Sequence, residues 1–236
     1  MSFAAACVRV TRWWWIRHAP VINPEGRVYG QRDIPPDLAD RPALGRLAAV
    51  LPDRPCWLAT PLSRTCQTLE ALWQARGDGP VSDGNPEQCS YAREPAFLEQ
   101  HFGAWQGLDH AQIQAATPAV AVRFWRAPAA MRAPEGESFL DVVARVAEGV
   151  GRWSEAALDP ATNPARDIVA VAHGGSIRAA LCLALGLDPE KALAFQIDTI
   201  SLTRIDHLAV AGQPALWRVC AVNLPPGSRP GAPVLR

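Results

Sequence analysis

The sequence lacks an excess of charge, a secretory leader and any long hydrophobic run. Its 236 residues include 23 basic and 23 acidic side chains, so the formal net charge is zero. Without a basic excess, we expect neither nucleic acid nor an anionic membrane as a partner. The apolar stretch at residues 3–8 is followed by Arg9 and Arg12 rather than by a cleavage site, and no run approaches bilayer length. We therefore expect a cytoplasmic protein.

Several common catalytic motifs are also missing. Six cysteines are scattered with no C-x-x-C pair, which is typical of reduced thiols. There is no G-x-x-x-x-G-K-[ST] phosphate loop, no H-E-x-x-H pair or aspartate cluster for metals, and no G-x-S-x-G esterase turn. We expect a protein that uses no metal and no other cofactor.

What the sequence does contain is an alternation of strand-like and helix-like segments. Hydrophobic residues make up 49% of the chain, which is enough for one large core. Short, nearly continuous apolar runs at 8–16, 56–59 and 168–172 predict buried strands, and 201–205 with 217–223 predict a hairpin. Apolar residues spaced three to four apart predict helices at roughly 38–51 and 139–153. The same spacing predicts a helix that is capped by Ser63 and another that begins after residue 173.

This alternation predicts the α/β fold class, as a single three-layer domain with a mostly parallel central sheet and helices on both faces. No linker divides the chain, so we assign residues 1–236 to one domain. Residues 225–236 are rich in Pro and Gly, and we expect them to form a poorly ordered tail.

Two of the predicted strands are each followed at once by a histidine. The first strand ends in Arg17-His18, and the strand at 168–172 ends in His173-Gly174-Gly175. Ligands of open α/β sheets bind beyond the carboxyl ends of the strands, so both imidazoles can face one small ligand. The predicted strand at 56–59 is followed by Ser63 and Arg64 at the start of a helix. The backbone N–H groups and the dipole at a helix N-terminus favour binding of an anion. Each residue alone could be structural, but together they indicate a phosphate site. An Arg guanidinium can donate two parallel hydrogen bonds to the oxygens of one phosphate.

Five segments then resemble the histidine phosphatase superfamily, in its phosphoglycerate-mutase-like branch. The resemblance covers residues 12–223. Its segments, in order, are Arg17-His18-Ala19-Pro20, the run from Thr60-Pro61-Leu62-Ser63-Arg64 to Thr68, Leu98-Glu99-Gln100-His101-Phe102-Gly103, Pro134-Glu135-Gly136-Glu137-Ser138, and Val171-Ala172-His173-Gly174-Gly175.

The resemblance implies a set of roles. His18 would be the nucleophile that takes the phosphoryl group. His173, the second catalytic histidine, would hold the non-bridging oxygens together with the two arginines. Arg17 and Arg64 would bind the phosphate oxygens of a small phosphorylated substrate. Glu99 would protonate the leaving oxygen and then help to activate water.

Two departures and two alternatives accompany the resemblance. Ala19 replaces the usual Gly, and Gln106 stands where many such phosphatases have Glu, which keeps a cofactor-dependent phosphoglycerate mutase as an alternative. A non-catalytic phosphate-binding domain is the second alternative. We assign no role to Asn23 and leave the substrate and the oligomeric state open. Our preferred interpretation is a phosphomonoesterase that works through a phosphohistidine.

Overall fold

The protein is described by a computed structural model over residues 8–23, 25–77, 91–158, 167–209 and 213–231. The strands of these ranges form one six-stranded sheet in the order β3-β2-β4-β1-β5-β6. Neighbours from β3 to β1 are parallel, whereas β5 is antiparallel to both β1 and β6. The bounds are β1 Arg9–Arg17, β2 Cys56–Ala59, β3 Ala92–Arg93, β4 Asp167–Ala172, β5 Leu202–Ala209 and β6 Leu216–Leu224.

Helices cover both faces of this sheet, so the predicted three-layer α/β fold class is confirmed. Two short 3-10 turns, Pro95–Phe97 and Gly103–Trp105, follow β3 in the chain. The helices are α1 Arg41–Ala48, α2 Ser63–Arg76, α3 His110–Ala116, α4 Pro118–Arg126, α5 Phe139–Leu158, α6 Gly174–Leu185 and α7 Pro189–Ala192. No helix within the described ranges is both long and apolar enough to cross a bilayer.

The tryptophan-rich β1 lies at the centre of two cores, one on each face. Successive side chains of a strand point to opposite faces. Trp13 and Trp15 therefore stack on each other, with ring centroids 5.2 Å apart, within the core built by α5 and α6. Trp14 and Ile16 pack into the other core, against α1 and α2. Because both faces of β1 are buried, its residues 13–16 are all apolar and do not alternate with polar ones.

Several boundaries differ from the sequence-based prediction. Helix α1 begins only at Arg41, because the Asp40 side chain accepts the Ala43 N–H (2.9 Å) and Pro42 occupies the first turn. Strand β3 was not predicted, since two residues are too short for a periodicity. Ser63, expected as a cap, is instead the first residue of α2, and the cap is Leu62.

The Gly-, Asp- and Pro-rich stretch at 77–89, whose composition predicts a surface loop, lies outside the described residues from position 78 on. So do the hairpin turn at 210–212 and the end of the expected tail at 232–236. The first part of the expected tail, residues 225–231, is described. There the Ser228 N–H donates to the Pro225 carbonyl (3.1 Å) in a turn. The assignment of residues 1–236 to one domain stays a prediction.

Candidate active site

The two histidines lie side by side because the strands that carry them are parallel neighbours. Arg17 on β1 is in register with Ala172 on β4, and the His18 N–H donates to the Ala172 carbonyl at 3.0 Å. Their imidazole centroids are 5.1 Å apart, with ring planes 63° apart. Both side chains are buried. Parallel pairing at the centre of the sheet thus brings together two residues 155 positions apart in the chain.

His18 is held as a neutral imidazole with one free ring nitrogen. Its Nδ1 lies 2.6 Å from the Ala19 carbonyl, which can only accept, so Nδ1 carries the proton. Burial lowers the pKa of His18 from 6.5 to about 3, against the opposing effect of the Ala19 hydrogen bond and with help from the Arg64 and Arg17 charges. Its Nε2 is left with an unprotonated lone pair, which is what a nucleophile requires.

His173 is oriented by a threonine. Its Nε2 lies 3.0 Å from the Thr60 hydroxyl, and its Nδ1 is buried with no hydrogen-bond partner among the described residues. Burial, and next the neighbouring His18, keep the pKa of His173 well below its usual value. The Thr60 hydroxyl can donate to this nitrogen or accept from it. In the tautomer that accepts from Thr60, the His173 proton is on Nδ1, which is then a donor for a ligand.

Each of the two predicted arginines is fixed by hydrogen bonds from its terminal guanidinium nitrogens to backbone carbonyls. Arg17 donates from Nη1 to the Ile197 carbonyl (2.5 Å). Arg64 is buried and donates from Nη1 to the Arg32 carbonyl (2.8 Å) and from Nη2 to the Gly30 carbonyl (2.6 Å). Burial lowers the pKa of Arg64. The Nε of each arginine is buried and unpaired within the described part of the chain.

Glu99 faces the start of α6, two residues beyond His173. The Gly175 N–H points at both of its carboxylate oxygens, at 3.1 and 3.3 Å, and the Gln100 N–H donates to Oε1 at 2.9 Å. Its own carbonyl accepts from Gln31 Nε2 (2.8 Å) and Arg145 Nη2 (3.0 Å). All five predicted site residues therefore belong to one region at the carboxyl end of β1 and β4.

Three unpaired nitrogen atoms of these residues are suited to an anion. Buried polar atoms without partners are rare, and each costs about 1–3 kcal/mol. Arg17 Nε, Arg64 Nε and His173 Nδ1 are three of the seven such side-chain atoms found in the described residues. A tetrahedral oxyanion accepts several hydrogen bonds at once, so a phosphate can satisfy all three.

One expectation about a neighbouring group is wrong, and two further residues near the site hold loops in place. The helix start at Ser63 is not open to an anion ligand, because Asp33 Oδ1 already accepts from the Ser63 N–H and hydroxyl, both at 2.7 Å. Asn23 closes its own loop by bonding to the Arg27 backbone (2.8 and 3.1 Å). Gln106 accepts the Gln31 N–H (2.7 Å), so it supports the loop that Arg64 also holds.

Four residues of this region were missed from the sequence. Thr60 orients His173, and Thr68 accepts the Ala19 N–H (2.9 Å) beside His18; both stand in the motif around Arg64. Arg145 donates to the Glu99 carbonyl and forms an ion pair with Glu137 (2.9 Å). Because it lies 46 residues from Glu99 in the chain, no local motif connects the two. Arg178 was missed because a lone arginine on a helix carries no signal.

No group of three or more His, Cys, Asp or Glu side chains that could hold a metal occurs in the described ranges. The expectation that the protein needs no metal stays a prediction.

Comparisons with known proteins agree with this geometry. The family model "Histidine phosphatase superfamily (branch 1)" matches residues 13–219. Glucosyl-3-phosphoglycerate phosphatase of Mycobacterium tuberculosis is 36% identical over 183 residues, which are 75% of this chain and 76% of that protein. A 2,3-bisphosphoglycerate-dependent phosphoglycerate mutase 2 of Gloeobacter violaceus is 28% identical, over 82% and 84% of the two chains. The native structure of the mycobacterial phosphatase superposes with a TM-score of 0.71 at 28% identity, over 92% and 100%.

Proposed function

Because this chain belongs to the histidine phosphatase superfamily, branch 1, we propose that it hydrolyses a small phosphomonoester through a phosphohistidine formed on His18. The observation that carries the proposal is the set of three unpaired buried nitrogen atoms of Arg17, Arg64 and His173. They surround a histidine whose own nucleophilic nitrogen is unprotonated. Four other buried side-chain atoms of the described residues are also unpaired, so the support comes from the grouping of three around one histidine.

In the first step, the His18 Nε2 lone pair attacks phosphorus and the bond to the leaving oxygen breaks. The leaving alkoxide needs a proton, and protonated Glu99 supplies it. The donors of Arg17, Arg64 and His173 hold the three non-bridging oxygens, where the charge of the transferring group is spread. The products of this step are the alcohol and a phosphoryl group on His18 Nε2.

In the second step, water attacks the phosphoryl group and the P–N bond breaks. Glu99, now a carboxylate, takes the proton from the water. Phosphate leaves, and His18 regains its lone pair without a change in its own proton, which stays on Nδ1 and bonded to Ala19. The Arg145 and Gln31 bonds to the Glu99 backbone support both steps by fixing the peptide that carries the acid.

Glucosyl-3-phosphoglycerate is the first substrate to test, because the 36% identical relative is named for that activity. Mutase activity is the competing outcome, since a relative over 82% of the chain is named a phosphoglycerate mutase. We also propose a cytoplasmic location, with no membrane or nucleic acid as partner. The described thiols of Cys66, Cys182 and Cys220, which form no disulfide, support it.

The test is to trap the intermediate by rapid quench with a ³²P-labelled aryl phosphate. We expect an acid-labile, base-stable phosphoenzyme in the wild type and in the control His207→Ala, and none in His18→Ala. His207 pairs with Thr11 near the other end of β1, so the control removes an imidazole away from the site. We expect Glu99→Gln to accumulate phosphoenzyme, since the second step loses its base.

A full-strength phosphoenzyme in a folded His18→Ala protein would refute the nucleophile. Transfer of the label to phosphoglycerate rather than to water would favour the mutase. Absence of any turnover of aryl phosphates and phosphorylated metabolites would leave the non-catalytic phosphate-binding domain.

A further inference from the structure

Two threonine hydroxyl groups form a short chain that begins at His173. Thr60 Oγ1 lies 3.0 Å from His173 Nε2 and 2.9 Å from Thr65 Oγ1. Thr65 Oγ1 in turn lies 2.8 Å from the Leu62 carbonyl and 2.9 Å from the Thr60 carbonyl. The side chains of Thr60, Thr65 and His173 are fully buried, so their protons must find acceptors within the protein. We call these two residues the threonine pair.

The contacts of the threonine pair decide which nitrogen of His173 carries the proton. A carbonyl oxygen can only accept, so the Thr65 hydroxyl donates to one of the two carbonyls. The Thr60 hydroxyl then donates to Thr65 Oγ1, and the neutral ring of His173 donates from Nε2 to Thr60 Oγ1. Three protons thereby make three hydrogen bonds. If Thr60 donated to the ring instead, one contact, either between the threonine oxygens or between Thr65 and the carbonyls, would hold no proton.

The other ring nitrogen of His173 is therefore a lone pair in the free protein. This Nδ1 is buried with no hydrogen-bond partner in the described chain, and the ring centroid lies 5.1 Å from that of His18. A lone pair repels the oxygen of a phosphate dianion, whereas it accepts a hydrogen bond from a P–O–H group. His173 becomes the donor that phosphoryl transfer uses once that proton is shared with it.

The groups around His173 favour an anion without supplying this proton. The cations that act on its ring come from three elements: Arg17 of β1, Arg64 of α2 and Arg145 of α5. The neighbouring His18 is a neutral ring, and Glu99 is bound by the backbone N–H two residues beyond His173. The arginines require a negative charge and the lone pair requires a proton, and a phosphate monoanion meets both requirements.

On the basis of the proposed function, we infer that the site binds its phosphomonoester as the monoanion, with the P–O–H group donating to His173 Nδ1, and that Thr60 and Thr65 are the positioning residues that set this preference. The proton stays between the phosphate oxygen and Nδ1 while the phosphoryl group is on His18, and it leaves with the product as H₂PO₄⁻. Glu99 supplies the separate proton of the leaving oxygen and recovers one from water.

The test compares the binding of inorganic phosphate and sulfate by isothermal titration calorimetry. Both are tetrahedral oxyanions, but at about pH 6 sulfate carries no proton whereas phosphate is largely a monoanion. We expect the wild type to bind phosphate at least about 10-fold more tightly than sulfate. Above the second pKa of phosphate, its affinity should fall about 10-fold per pH unit, as the monoanion does. Glu99→Gln, which removes the neighbouring carboxylate, should keep both results.

Substitutions in the threonine pair should move the ring proton. Thr65→Val removes the acceptor of the Thr60 hydroxyl, which then donates to His173 Nε2, so the ring proton moves to Nδ1. Thr60→Val removes the acceptor of the ring itself. Both variants should reduce the preference for phosphate over sulfate to less than about 3-fold. Thr60→Ser keeps the hydroxyl and should retain the preference.

The matched control is Thr11→Val, near the other end of β1. The Thr11 hydroxyl is buried and has no partner among the described residues, so its loss should change neither affinity. Equal losses for both anions in Thr60→Val and Thr65→Val would mean that the threonine pair only supports the fold, and would overturn the inference.

The wild-type comparison decides the matter even where a valine variant does not fold. Sulfate bound as tightly as phosphate, or phosphate affinity that does not follow the monoanion, would overturn the inference while leaving the phosphohistidine untouched. Failure of the wild type to hydrolyse an aryl phosphate would instead refute the proposed function.

Discussion

The contact between Gly175 and Glu99 allows the acid to be displaced without altering its chemistry. A Cβ built on Gly175 would lie 2.1 Å from Glu99 Oε1, far inside the shortest real contacts of about 3 Å. In Gly175→Ala the carboxylate must therefore move by about 1 Å, and a misplacement of that size costs about 100-fold in rate. The backbone should accept alanine, since Gly175 lies within α6 and alanine is favoured over glycine in helices by about 1 kcal/mol.

The displaced atom is the end of a flexible side chain, so the fold should survive. We expect Gly175→Ala to keep the wild-type melting temperature and to lose about 100-fold in kcat/KM on alkyl phosphates, which depart only with a proton. Activated aryl phosphates depart without one, so their loss should be less than about 10-fold. Glu99→Gln supplies the reference pattern, with the same contrast between the two substrate types.

Gly151→Ala is the control, because Gly151 lies on α5 with nothing within 4 Å of the added Cβ. It should leave both substrates unchanged. Wild-type rates of Gly175→Ala on alkyl phosphates would show that the position of Glu99 does not matter. Equal losses on alkyl and aryl phosphates in Gly175→Ala and in Glu99→Gln alike would refute the role of Glu99 as acid.

Two further predictions concern ionisation and metals. Because burial lowers the pKa of His18 to about 3, the free enzyme keeps its nucleophile neutral between pH 6.5 and 4, and kcat/KM corrected for substrate ionisation should show no histidine inflection near 6.5. Below pH 6.5 the unfolded chain binds a proton on this histidine and the folded protein does not. The free energy of unfolding should therefore be unaffected by His18 above pH 6.5 and should fall by up to about 1.4 kcal/mol per pH unit between pH 6.5 and pH 3. Denaturant titrations should show a smaller fall in His18→Ala, which lacks this group. Activity should be unchanged by EDTA; inactivation reversed by one divalent ion would contradict the assignment of the phosphate site to His and Arg alone.

The sequence by itself determined the class of fold and the histidine pair. Strand and helix periods are properties of the local chain, so the apolar run at 13–16 and the stripe through Val142, Val146 and Val150 could be interpreted without a structure. A polar residue that directly follows a buried strand must lie at the edge of the sheet. His18 and His173 could be predicted for that reason, and the motif order of the family added Arg17, Arg64 and Glu99.

Only the tertiary structure decided which donors remain available to a ligand. Asp33 occupies the start of α2 although it lies 30 residues before Ser63, and one nitrogen of His173 is taken by Thr60, 113 residues before it. Glu99 is likewise held by Gly175 and Arg145, which are 76 and 46 residues from it. Such pairings depend on the course of the intervening loops, and a loop's course is fixed by long-range packing rather than by any period in its own residues.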